Sequence, residues 1–125
     1  MATLIVVDTT VLIDHIRGVE AASHYLRSLG SVPVCSEVTR AELLRGLRHP
    51  ELHATDRLMA QITWIPVDEA VARRAGELGR RYRRSHASIG IADLLVAATA
   101  QLAGARLATS NVRDFPMFRS LRPPY

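Results

Sequence analysis

Lysine is absent from this chain: all 16 basic residues are arginine, set against 12 acidic residues for a net charge of +4. A planar guanidinium grips phosphate or carboxylate through two parallel hydrogen bonds, which a lysine ammonium cannot do. The surplus suits a polyanionic partner, either nucleic acid or an acidic protein tail, although a G+C-rich genome yields the same arginine bias. Cysteine occurs once, at Cys35, which excludes an internal disulfide. In the apolar setting "VPVCS" it reads as a small buried hydrophobe. Aromatic residues make up only 5%, so no base-stacking platform is evident. No apolar run approaches the roughly 20 residues of a membrane-crossing helix, and the N-terminal "MATLIVVD" lacks the basic segment of a signal peptide. A cytoplasmic protein with no membrane attachment is the expectation. Among the histidines His15, His24, His49, His53 and His86 only His49 and His53 are closely spaced, and with Cys35 alone this disfavours zinc. Each is expected at the surface or in a loop.

What is present is a 48% hydrophobic chain of 125 residues, enough for one compact domain over residues 1–125 without disulfides or structural metals. Strand and helix signals take turns along it. "TLIVV" is short, β-branched and apolar on both faces, as expected of a central parallel strand covered on each side. Helices follow over "VLIDHIRG" and "EAASHYLRSLG", the second stopped by Gly30. "SVPVC" reads as a strand, with Ser36 capping the helix "EVTRAELLRGL". "ELHATDRLMAQI" reads as a helix and "TWIPV" as a strand, and Asp68 caps the long helix "EAVARRAGELGRRYRR". After the loop "SHASIG" come the apolar helix "IADLLVAATAQLAG", the strand "RLATS", a helical turn near "RDFPMF" and a tail. The alternation predicts an α/β fold with a central, mainly parallel sheet flanked by helices.

Three carboxylates stand out in that frame. Asp8 directly follows the first strand, and ligands of parallel α/β sheets bind outside the strands' carboxyl ends. The same position also suits a helix N-cap. Asp93 has Val96, Ala97 and Ala100 as helical neighbours at i+3, i+4 and i+7. It therefore lies on an apolar face rather than a solvated stripe, beyond what a favourable place in the helix dipole explains. Glu42 borders an apolar face expected from Val38, Ala41 and Leu44, or else pairs with Arg45 at i+3. Converging on one cleft, three carboxylates would raise one another's pKa values unless a cation lay between them, and all-oxygen ligation suits Mg²⁺ or Mn²⁺. Asp14, Glu37 and Asp68 read as solvated or capping acids.

In "VVDTTVLID", "SEVTRAELLRG", "GIADLLVAATA" and "LATSNVRDF", in that order and at these separations, the chain resembles the PIN-domain ribonucleases of the VapC toxin type over essentially its whole length. The resemblance implies a catalytic, metal-holding centre at Asp8, Glu42 and Asp93, with the fourth position at Asn111 or at Asp114 three residues on. Thr10 and Thr109 match hydroxyl positions that line the family's cleft. It also implies Mg²⁺-dependent hydrolysis of RNA by an activated water, Mn²⁺ being a possible substitute, and a homodimer held inactive by a VapB-like antitoxin in a larger assembly. DNA would be bound only through that antitoxin. Arg40, Arg45 and Arg113 are candidates for gripping RNA. Arg73, Arg74, Arg80, Arg81, Arg83 and Arg84 share one long helix whose bland reading is a solvated face. A haloacid-dehalogenase-like phosphatase would need an Asp where Thr10 stands, and a nucleotide-binding module would need a Gly-rich turn after the first strand. The remaining alternative is a catalytically silent PIN-like domain that binds RNA or a partner, a reading that the neutral Asn111 keeps open.

Overall fold

The computed structural model describes residues 4–125. Four short strands, β1 (Ile5–Val7), β2 (Val34–Ser36), β3 (Thr63–Ile65) and β4 (Arg106–Ala108), form a sheet in the order β3-β2-β1-β4. Every pairing is parallel. Six helices connect them: α1 (Thr9–Ile16), α2 (Glu20–Ser28), α3 (Glu37–Arg45), α4 (Leu52–Ala60), α5 (Glu69–Tyr82) and α6 (Ile91–Leu102). Thr3, where the sequence pattern starts the first strand, and the other residues that open "MATLIVVD" lie outside the described residues. Among the described residues no helix is long and apolar enough to cross a membrane.

Successive side chains of a strand point to opposite faces, so each strand divides its residues between two cores. Val6, Val34 and Leu107 pack with Val71, Ala75 and Leu78 of α5 and with the apolar face of α6. Val7, Cys35 and Ala108 face the other way, against Val11, Leu12, Leu43 and Ile62. The outcome is a sheet sandwiched between two helical layers, as the uninterrupted apolar run of β1 foretold. Cys35 is wholly buried, and desolvation pushes its thiol up to about 12. A disulfide-exchange reagent is therefore expected to leave the folded protein unlabelled and to modify one thiol per chain only after denaturation. Labelling at native pH on the folded-state timescale would contradict this burial.

Two helix starts follow the expected caps: the Ser36 hydroxyl accepts from the Val38 N–H, and the Asp68 carboxylate from the Val71 N–H. Gly30, at φ +68°, follows α2 in the left-handed conformation that a side chain would resist. The phase of α3 differs from expectation. Its buried positions are Thr39 and Leu43, whereas Ala41 is exposed and Leu44 is 47% exposed. The i, i+4 pair selected by the Ser36 cap and by the α1 contact faces inward, and a helix with several small and polar positions offers no stripe strong enough to reveal this in advance. His15 also departs from a surface role: it is half-buried on α1, hydrogen-bonds Ser23 at 2.7 Å, and has its pKa lowered, first by burial and then by Arg27.

Candidate active site

The strand order reverses between β1 and β4, because the chain builds outward from β1 to β3 and then crosses back to place β4 on β1's other side. Carboxyl ends that diverge from such a switch point leave a crevice between them. Asp8 ends β1, and its backbone N–H donates to the Ala108 carbonyl at 2.8 Å, which fixes it against β4. Its side chain is buried and makes no capping hydrogen bond to α1. Asp8 thus occupies the N-cap position of α1 without capping it through its carboxylate. Instead, Asp8 Oδ2 accepts from the Thr109 hydroxyl at 2.7 Å and from the Thr10 hydroxyl at 3.2 Å. Thr109 in turn accepts from the Asn111 N–H at 3.0 Å, and Thr10 from the Ser110 N–H at 3.2 Å, so both hydroxyls have their protons free for Asp8. Burial raises the Asp8 pKa, the Thr109 bond opposes that rise, and the charge of Glu42 adds to it.

Glu42 reaches the same crevice from α3. Among the described residues it forms no ion pair with Arg45; its Oε1 accepts from the Thr9 hydroxyl at 2.6 Å. Thr9 was not singled out by the sequence, although a hydroxyl in the helical turn after Asp8 was the available signal. Asp93 projects from the first turn of α6, and behind it Val96, Ala97 and Ala100 are fully buried, as the helical spacing implied. Its pKa is pushed up to about 7, first by burial and then by the charges of Asp8, Asp114 and Glu42.

The fourth acidic position lies after β4, where residues Val112–Asp114 make a single 3-10 turn whose end is anchored by buried Phe115. Asp114 lies close enough to Asp93 for its charge to help raise the Asp93 pKa, and Asn111 Nδ2 donates to Asp114 Oδ2 at 2.6 Å. Asn111 thus holds the carboxylate whose charge bears on Asp93. The three expected arginines divide similarly. Arg45 and Arg113 are exposed. Arg40 pairs with Glu37 and lies 4.1 Å over the Trp64 ring, so its guanidinium is engaged at the far side of the sheet near β3.

Four carboxylates therefore share one crevice, and none of the ion pairs among the described residues reaches them. Among those residues no group of three or more His, Cys, Asp or Glu side chains is arranged so as to hold a metal ion. The set is nevertheless all oxygen, negatively charged, partly exposed and uncompensated, which fits a hard divalent cation that keeps several of its waters.

The PIN domain profile matches residues 5–119. The chain is 47% identical over 122 residues to ribonuclease VapC19 of Mycobacterium tuberculosis, covering 95% of this chain and 98% of that protein. It is 48% identical over 125 residues to ribonuclease VapC10 of the same organism, covering 98% and 93%. Among solved structures, a toxin–antitoxin complex from Klebsiella pneumoniae superimposes with a TM-score of 0.83 at 26% identity, over 96% of this chain and 97% of the other.

Proposed function

Since this chain belongs to the PIN-domain family, as the match over nearly its whole length establishes, we propose that it is an endoribonuclease and the toxin of a VapBC-type toxin–antitoxin pair. The observation that carries the reading is the uncompensated acidic crevice, in which burial, and after it the charges of Asp8, Asp114 and Glu42, push Asp93 up to about 7. A pure RNA binder gains nothing from concentrating carboxylates against phosphate.

Asp8, Glu42, Asp93 and Asp114 would hold the divalent cation, Mg²⁺ or Mn²⁺ by the hardness of the donor set. Such an ion, when bound, lowers the pKa of a coordinated water and offsets charge on the phosphoryl oxygens. The chain's own residues arrange the rest. Thr109 and Thr10 fix one oxygen of Asp8, Thr9 fixes one oxygen of Glu42, and Asn111 fixes Asp114, so three of the four carboxylates hold their orientation in the absence of substrate. Asp93 has no such donor, and with its pKa raised to about 7 it is a group on which a proton can rest while the crevice holds only water. Arg113, exposed on the same 3-10 turn as Asp114, supplies positive charge at the rim, where an RNA phosphate must pass. The nearness of Asp114 to Asp93 supplies the charge that the neutral Asn111 lacks, which favours the enzymatic reading over a silent domain.

The partner reading rests on the complex from Klebsiella pneumoniae, described as a toxin–antitoxin assembly, and on the basic surface of this chain. A VapB-like antitoxin would cover the crevice and carry any DNA contact, with the toxin present as a homodimer within the assembly.

Cleavage of total RNA by antitoxin-free protein, with Mg²⁺, with Mn²⁺ and with EDTA, tests the activity. Discrete fragments are expected with either metal, none with EDTA, and none from Asp8→Asn. Equal fragmentation by wild type and Asp8→Asn, or none by folded wild type with both metals, would overturn it.

A further inference from the structure

The turn between α5 and α6, residues 83–90, brings the end of one helix beside the start of the next. The approach there is close: a Cβ added at Gly79 would stand 3.2 Å from Leu94 Cδ1. Beside this contact the turn encloses a cleft of about 200 Å³, lined by Gly79, Tyr82, Arg83, His86, Ile89 and Leu94. The rings of Tyr82 and His86 meet edge to face, 5.9 Å apart with 75° between their planes. The turn is pinned in that shape by its own backbone: the His86 N–H donates to the Tyr82 carbonyl at 2.8 Å, the Ile89 N–H to the His86 carbonyl, and His86 Nδ1 bonds the Ser85 hydroxyl. Leu94, which floors the cleft, adjoins Asp93 in the first turn of α6. Arg83 lines the cleft, is exposed and forms no ion pair among the described residues, and the neighbouring Arg80, Arg81 and Arg84 are likewise exposed and unpaired there.

We propose that this cleft is a subsite for one unstacked nucleobase of the RNA, with Tyr82 and His86 as its ring walls, Leu94 and Ile89 as its apolar floor, and Arg83 on the adjoining phosphate. The assignment rests on the endoribonuclease reading and deepens it. Single-stranded RNA is held where aromatic faces and backbone-tracking cations occur together, and both occur at this turn, which leads into the helix that presents Asp93. The volume of about 200 Å³ is enough for one heterocycle. A bare phosphate would leave the apolar floor unused, and an acidic peptide would use the arginines without the rings. The 5% aromatic content conceals this feature because the second ring is a histidine, brought to Tyr82 by a turn of the chain.

The probes are single-stranded hexaribonucleotides of U, C, A or G and an abasic ribose-phosphate hexamer of equal charge. They are titrated in EDTA against the full chain and followed by NMR at the Tyr82 and His86 rings. At least one base-bearing hexamer is expected to shift both rings and to bind about tenfold tighter than the abasic one. His86→Ala, which spares the core-packed Tyr82 and is expected to melt with wild type, should erase that advantage. Arg83→Ala should weaken base-bearing and abasic hexamers alike. Where cleavage is measured, His86→Ala should raise KM and leave kcat near wild type. Equal affinity for abasic and base-bearing hexamers, an advantage that survives His86→Ala, or stronger ring shifts from an oligoglutamate peptide would overturn the subsite. The titration uses no metal, so its outcome does not depend on whether RNA is cut. Failure of wild type to cleave would instead count against the ribonuclease reading.

Discussion

Asp93→Asn is expected to lose RNA cleavage by two to three orders of magnitude and, without metal, to unfold at a higher temperature than wild type. The loss follows from removing one anchor of a cation that supplies several kcal/mol of transition-state stabilisation. The gain follows from linkage. In the folded protein the Asp93 pKa is up at about 7, against an ordinary value of 3.8 when unfolded, so the unfolded chain releases the proton more readily. The penalty is absent below about pH 4, grows as pH rises, and is complete above about pH 7. A shift of that size would correspond to about 4 kcal/mol in a fully buried group, and partial exposure of Asp93 screens it to about 1–2 kcal/mol. At pH 8 in EDTA the variant should therefore melt about 3–8 °C above wild type, and the difference should vanish near pH 4. Added Mg²⁺ should stabilise wild type and narrow the gap. Thermal melts at the two pH values, with and without Mg²⁺, check each part. A variant less stable than wild type at pH 8 in EDTA would mean that the carboxylates do not strain one another.

Phe115→Ala should produce the largest loss of stability among single substitutions near the crevice. Phe115 is 1% exposed, packs into the α6-side core and meets Phe118 edge to face at 6.4 Å. Truncation of a buried phenylalanine costs about 3–5 kcal/mol, a large share of the stability of a small domain. The melting temperature should fall by more than about 10 °C. Activity at a temperature where the variant remains folded should also fall, because this ring anchors the 3-10 turn that carries Asn111 and Asp114. A denaturant titration gives the first quantity and RNA cleavage at 15 °C the second. A loss below about 1 kcal/mol would show that the site can collapse around the missing ring.

The contrast between Asp93 and Glu42 shows what was legible beforehand. For Asp93 the apolar neighbours at i+3, i+4 and i+7 are all fully buried, so a single helix face sufficed to mark the residue. For Glu42 the expected face of Ala41 and Leu44 is exposed, and what brings Glu42 to the crevice is its bond to Thr9, 33 positions earlier. Helix order, the Ser36 and Asp68 caps and the position of Asp8 depend on local patterning, and all appear as read. The linkage of Asn111 to Asp114, the capture of Arg40 by Trp64 and the Tyr82–His86 cleft depend on how turns close. Spacing alone carries no such information.

The bond from Thr109 to Asp8 spans 101 positions. Emergence from the ribosome is directional, and at about 5–20 residues per second the two partners are made several seconds apart. Asp8 is made well before β4, so until Thr109 has followed it its carboxylate lacks the Thr109 hydroxyl and its backbone N–H lacks the Ala108 carbonyl. A crevice built this way has a delay written into its topology: Asp8, Glu42 and Asp93 all precede the segment that supplies Thr109 and Asp114, so the full set of side chains comes together only once that last segment has been made.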